Sequence, residues 1–177
     1  FAGMLFSDLG AEVTVIHRKD KSDFSNQKNI LDRGKRSIEL NLKDPEDLLI
    51  AKRLIIRSDA VIEGFRPGVM EKLGLGPNEF SENVSLVYGR MTGWGQDGPK
   101  SKQAGHDLNY IGLSGALWFA SHPNTPPFTP PALVGDVGGG ALYLVIGVLS
   151  AILNAKDSGK GSVVDAAIVD GSAHMMN

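Results

Sequence analysis

"DPEDLLIAKRLIIRSDAVIEGF", residues 44–65, decides the fold class. Its first part has the marks of a helix: Asp44 as N-cap, Pro45 at the first helical position, acids in the first turn, and Lys52, Arg53 and Arg57 late, where the helix dipole favours cations. At Ser58 the helix hands over to "AVIEGF" (60–65), a short apolar run that suits a buried strand. Just upstream, "SIELNL" (37–42) alternates apolar and polar residues as a short strand does.

The same grammar extends in both directions. A helix opens the chain with Phe1, Met4, Leu5 and Leu9 at helical spacing, and Gly10 suits its C-cap. "EVTVIH" (12–17) is a strand, and a polar surface loop follows from Lys19 to Asn29. "RPGVMEKLGLG" (66–76) is a short helix closed by glycines, and "SLVYGRM" (85–91) is another strand. From His106 the pattern runs helix, proline-rich loop ("SHPNTPPFTPP", 121–131), glycine turn and long helix. "GSVVDAAIV" (161–169) then reads as a strand before a final helix. Strands separated by helices imply an α/β fold with a doubly wound parallel sheet.

A chain of 177 residues suits one domain with a real core, and residues 1–177 read as a single unit. The 18 basic and 20 acidic residues nearly balance, so nucleic acid is not an expected partner. The absence of cysteine excludes a disulfide scaffold, a thiolate nucleophile and a sulfur-based zinc site. Phe1 has no basic segment before it and no signal-peptide pattern after it. The first and last residues both fall inside helical patterns, so the chain reads as cut at each end. The apolar run from Gly138 to Leu153 is shorter than the ~20 residues a bilayer needs, and is expected to be a buried core helix rather than a membrane span.

In open α/β sheets, ligands bind beyond the carboxyl ends of the strands. One such end holds His17 and Arg18, near a basic group of Arg33, Lys35 and Arg36. This is either a phosphate-binding patch or a solvated basic loop. "EGFRPG" and "GRMTGWGQDGP" mark two further ends, where glycines either admit a ligand close to the backbone or simply make turns. His106 and Asp107 stand at the start of an apolar helix. Asp107 is its expected cap, with His106 either bonded to backbone or serving as a base whose charged form the dipole disfavours. Asp136, directly before Val137 and three glycines, is either the N-cap of the next helix or a carboxyl beside free backbone N–H donors that could stabilise an oxyanion. Proton transfer next to a carbonyl needs a base at the C–H and donors at the oxygen.

"GRMTGWGQDGP", "AGHDLNY" (104–110), "VGDVGGG" (134–140) and "GKGSVVDAAIVDGSA" (159–173), in this order, resemble the family III CoA-transferase superfamily, most closely its α-methylacyl-CoA racemase branch. "GKRSIELNLK" and "EGFRPGVMEKLGLGP" fit the same family's coenzyme A half. The resemblance covers essentially the whole chain. It implies a Rossmann-like large domain, truncated, lacking the extreme N-terminus and the C-terminal small domain.

It also implies inversion of the α-carbon of 2-methyl-branched acyl-CoA thioesters by a two-base proton transfer, with His106 and Asp136 on the family's base pair. Arg18, Glu39, Leu40, Asn41, Leu42, Glu63, Gly64, Phe65, Lys72, Gly105, Asp107, Leu108, Asn109 and Tyr110 match positions that line the CoA groove. Lys72 stands where relatives carry arginine, so its phosphate contact would be a point charge rather than a bidentate pair. No cofactor beyond the CoA moiety of the substrate and no metal is implied. The implied assembly is an intertwined homodimer. Its compartment is bacterial cytoplasm, mitochondrion or peroxisome according to source.

Three alternatives stay open. Family transferases use the aspartate equivalent to Asp136 as a nucleophile that carries acyl anhydride and then CoA. An NADP-dependent reductase would use Arg18 and the glycines, and a non-catalytic CoA-binding protein would need neither base.

Overall fold

The computed structural model describes residues 1–19, 29–130 and 132–177; most of the expected 19–29 loop, and Pro131 of the proline loop, lie outside them. The elements run α1 (Ala2–Asp8), β1 (Thr14–Arg18), β2 (Arg36–Leu40), α2 (Pro45–Ile56), β3 (Ala60–Glu63), α3 (Val69–Lys72), β4 (Val87–Thr92) and α4 (Asp107–Ser114). A π-helical stretch, Leu133–Leu142, then leads without a break into α5 (Tyr143–Ser158), followed by β5 (Val163–Ala167) and α6 (Ile168–His174). Short 3-10 turns cover Ile30–Asp32, Pro77–Glu79 and Ala116–Ala120.

All described strand pairs are parallel, as the alternation of strands and helices requires. They form two ladders: β1 with β2, and β3–β4–β5 with β4 in the middle. Apolar packing joins them, because Leu40 of β2 shares one cluster with Tyr88 of β4 and with Ala51, Ile55, Met70 and Leu75 from the α2–α3 side. The opposite face of β4 packs on α1 and α5 through Val87, Leu144, Val145, Val148 and Phe6. Strand β4 thus alternates cleanly. Val87 and Gly89 face α5, where a Cβ on Gly89 would lie 2.8 Å from Val148, while Tyr88 and Arg90 face α3. Helices on both faces explain why these strands read as apolar runs.

Helix α2 begins as the sequence demands. The Asp44 carboxylate accepts from the backbone N–H groups of Glu46 and Asp47 at 2.9 and 3.2 Å, with Pro45 in the first turn. Leu9 is the C-cap of α1, and Gly10 follows it at φ +95°, the left-handed geometry that glycine adopts without strain.

Several boundaries move. β2 ends at Leu40, so Asn41 and Leu42 belong to the turn before α2, where the Asn41 N–H donates to Asp47 at 2.8 Å. β3 ends at Glu63, leaving Gly64 and Phe65 in a loop, and β5 gives way to helix at Ile168. The glycine turn before the long helix is absent: Gly135 and Gly138–Gly140 lie inside the π-helical stretch, so the helical rod is longer than its apolar run suggests. Leu133–Ser158 spans 26 residues and is long and apolar enough, by length and composition alone, to cross a membrane. The length argument against a span therefore fails. What the fold offers instead is packing, with Leu144, Val145 and Val148 of this rod in the sheet core.

Candidate functional site

One cavity of about 230 Å³ opens beyond the carboxyl ends of β3 and β4. Its walls are the loop Gly64–Pro67, the segment Thr92–Trp94, residues 103–106 and Tyr110 of α4. Of the residues singled out by sequence, Gly64, Phe65, Gly105, His106 and Tyr110 meet here. Arg18, Glu39, Leu40, Asn41, Leu42, Glu63, Lys72, Asp107, Leu108, Asn109 and Asp136 are not among its walls.

Each exception has a physical reason. Leu40 is buried in the core, and β1, β2 and Lys72 sit away from this opening. Leu108 is exposed on α4, and the Asn109 side chain turns back to accept from the His106 N–H at 2.9 Å. The basic group near β1 is largely neutralised: Arg33 pairs with Asp8, Lys35 with Asp32 at 3.7 Å and Arg36 with Glu12 at 3.5 Å. That favours the solvated-loop reading of those three cations.

Next to the Gly64–Pro67 wall lies a partly buried ion network that the sequence analysis missed. Arg90 Nε donates to Glu63 Oε1 at 2.7 Å, and its two terminal nitrogens donate to Glu71 at 2.6 and 3.2 Å. The other Glu63 oxygen accepts from the Phe65 N–H at 2.7 Å, which fixes the turn of the Gly64–Pro67 wall. Glu63 is therefore a brace beneath the groove rather than a ligand-facing residue. Burial works against the Arg90 charge, but its bonds to Glu71 and Glu63 outweigh that and push its pKa above the ordinary arginine value.

The opposite wall is an aromatic corner. The Trp94 and Tyr110 rings meet edge to face with centroids 4.8 Å apart, and Gly93 and Gly105 lie against them. A Cβ on Gly105 would stand 2.6 Å from the Tyr110 ring, and one on Gly93 would overlap it outright. These two glycines are required by close approach. Gly93→Ala is expected to destabilise the fold by about 1–3 kcal/mol through overpacking. Chemical denaturation checks this against Gly112→Ala, whose added methyl would meet only an ordinary contact with Leu117 at 3.8 Å.

His106, not Asp107, is the N-cap of α4, with an extended backbone (φ −135°, ψ 173°) that presents its side chain at the cavity. Asp107 is the first helical residue and is buried, at 6% exposure. Its Oδ2 accepts from the backbone N–H of Asp136 at 2.7 Å, so this N–H is not the free oxyanion donor that the sequence suggested. Asp136 is no N-cap either, because it lies within the π-helical stretch, a local widening of the helix that recurs at functional sites.

Asp136 is half-buried, and its carboxyl is pushed above the usual carboxylate range first by burial and then by the Asp107 charge. His106 is close enough for its charge to pull the value part of the way back. Tyr110 is raised as well, by burial and by Asp136. His106 and Tyr110 thus stand on the cavity wall, and the Asp136 carboxyl, though not part of that wall, is near enough to interact electrostatically with both. Among the described residues, no group of three or more His, Asp or Glu side chains is placed to hold a metal ion.

The family model for CoA-transferase family III matches residues 1–177. The chain is 42% identical over 176 residues to alpha-methylacyl-CoA racemase of Mus musculus, covering 99% of this chain and 45% of that protein. It is 33% identical over 189 residues to succinyl-CoA–D-citramalate CoA-transferase of Chloroflexus aurantiacus, covering 99% of this chain and 47% of that protein. The crystal structure of a CAIB/BAIF family protein from Brucella suis superposes with a TM-score of 0.89 at 28% identity, covering 99% of this chain and 50% of that one. The chain spans about half the length of the curated relatives it matches. The family match over the whole chain, together with a parallel α/β architecture shared with a solved CAIB/BAIF family protein, makes this chain a member of CoA-transferase family III.

Proposed function

We propose that the protein inverts the α-carbon of 2-methyl-branched acyl-CoA thioesters by a two-base proton transfer. For one enantiomer His106 removes the α-proton and the electron pair moves into the thioester carbonyl as an enolate. The Asp136 carboxyl then delivers a proton to the opposite face, and for the other enantiomer the roles exchange. The observation that carries this reading is the placement of His106 on the cavity wall at the start of α4, where the next residue, Asp107, ties down the Asp136 backbone N–H at 2.7 Å and so brings the second acid/base group to the same helix start. The similarity to the mouse racemase supports the same choice.

In this proposal the acyl-CoA is the only small-molecule partner. Gly64, Phe65 and the 105–110 segment form part of the groove that takes it, no metal or separate cofactor takes part, and the working assembly is a homodimer. The compartment follows the source: cytoplasm in a bacterium, mitochondrion or peroxisome in a eukaryote.

A CoA transfer with Asp136 as nucleophile is the second reading, favoured by the similarity to the citramalate transferase. It gives His106, which stands on the cavity wall, no proton to move. One assay separates them. The full-length protein is incubated in D2O with an (R)-2-methylacyl-CoA alone and then with a free-acid acceptor. Epimerisation with deuterium at the α-carbon in the absence of acceptor is the expected result, and strict dependence on the acceptor would replace it with the transferase.

A further inference from the structure

The groove accounts for His106 and Asp136 but leaves unexplained a buried carboxylate beside them. Asp107 Oδ2 holds the Asp136 N–H at 2.7 Å, whereas Asp107 Oδ1 is buried with no hydrogen-bond partner among the described residues. Such an orphaned acceptor is costly and persists where something else depends on it. The surroundings are shaped around it, since a Cβ on Gly135 would lie 2.5 Å from Asp107 Oδ2 and 2.9 Å from Ile111.

Asp107 also follows His106 directly at the start of α4. One short segment therefore places the imidazole and, through a side chain, grips the backbone of the residue bearing the carboxyl. We infer that Asp107 is a positioning residue that locks the π-helical stretch onto α4, and thereby fixes Asp136 relative to His106.

The inference rests on the proton-transfer reading for its consequence in catalysis, though not for its geometry. The groups that bear on Asp136 are few. From α4 they are His106, Asp107 and Tyr110. On α6, Asp170 is exposed, and His174 is exposed and bonded to the Tyr143 hydroxyl at 2.6 Å. Asp165 of β5 accepts from the Gln96 N–H, and Arg90 of β4 is held by Glu63 and Glu71. Asp107 is thus the neighbour whose negative charge raises the Asp136 carboxyl.

The test uses the full-length protein with Asp107→Ala, Asp107→Asn and Gly135→Ala. Asparagine keeps an oxygen to accept the Asp136 N–H but removes the charge, alanine removes both, and the Gly135 methyl pushes the carboxylate away. Loss of positioning is expected to lower α-proton exchange about a hundredfold in Asp107→Ala and Gly135→Ala with KM little changed, and Asp107→Asn is expected to lose less than either, because the Asp136 N–H keeps its acceptor.

The titration midpoint of Asp136, followed by carboxyl carbon NMR without substrate, is expected to fall in Asp107→Asn. An unmoved midpoint, or equal activity in the alanine and parent proteins, overturns the role. The NMR readout decides it even where the alanine variant does not fold. A parent protein that exchanges no α-proton while the midpoint still falls would sink the proposed reaction and keep the positioning.

Discussion

His106→Ala in the full-length protein is expected to lower α-proton exchange by about 10²–10⁴-fold, the ordinary worth of a positioned acid or base, with little change in fold stability. His106 is exposed at the cavity, and the Asn109 side chain secures the helix start through the His106 N–H, a bond that alanine keeps. Asp136→Asn should abolish exchange comparably yet behave differently on unfolding. Burial, and then Asp107, hold the Asp136 pKa above its unfolded value. A group raised in this way contributes stability that is present below the unfolded value and lost as pH rises through the folded one. At neutral pH the parent therefore bears the cost of an ionised Asp136, and the asparagine variant does not. Thermal unfolding should show Asp136→Asn more stable than the parent at neutral pH, with the gap closing in acid. An inactive but stabilised variant is the mark of a carboxyl kept for chemistry rather than for folding. Full exchange in His106→Ala would remove the imidazole from the mechanism.

Much of this was legible in the residues because local physics and fold agree. The Asp44–Pro45 start of α2, the cationic end of that helix and the apolar strands between helices each admit one reading, and the parallel sheet follows. The long motifs made the family legible as well. Harder to read was anything depending on a partner distant in sequence. Asp107 has the look of a helix cap because aspartate at a helix start usually is one, yet its partner lies 29 residues on, at Asp136. Three glycines in a row suggest a turn, but here they let the π-helical stretch press against α6, where a Cβ on Gly139 would come 2.8 Å from the Ile168 carbonyl. Arg90, the one charge in the apolar strand 85–91, was passed over in the sequence analysis. A cation in an otherwise buried strand was the available signal, because such a charge is stable only with a partner.

That partner makes Arg90 the residue whose loss should damage the fold most. Arg90→Met keeps much of the volume but leaves the Glu63 carboxyl, 2% exposed, without its counter-charge. Breaking a buried pair from one side costs about 3–5 kcal/mol, far more than the pair itself is worth. The outer half of the network contributes less, since Glu71 is 45% exposed and solvent screens it. Adding Glu63→Gln to Arg90→Met should recover a large part of the loss, because glutamine still accepts the Phe65 N–H and no longer buries a charge. The pH dependence follows the same logic. The hydrogen bond from Arg90 holds Glu71 below its usual range, so its contribution is present at neutral pH and lost as pH falls through that depressed value. Parent and variant should therefore converge in acid and differ most near neutrality, as denaturant titrations at several pH values would show. Because Glu63 also fixes the Phe65 N–H, substrate affinity should weaken in Arg90→Met and return in the double variant; if stability returned while affinity did not, the network would hold the fold without shaping the groove wall.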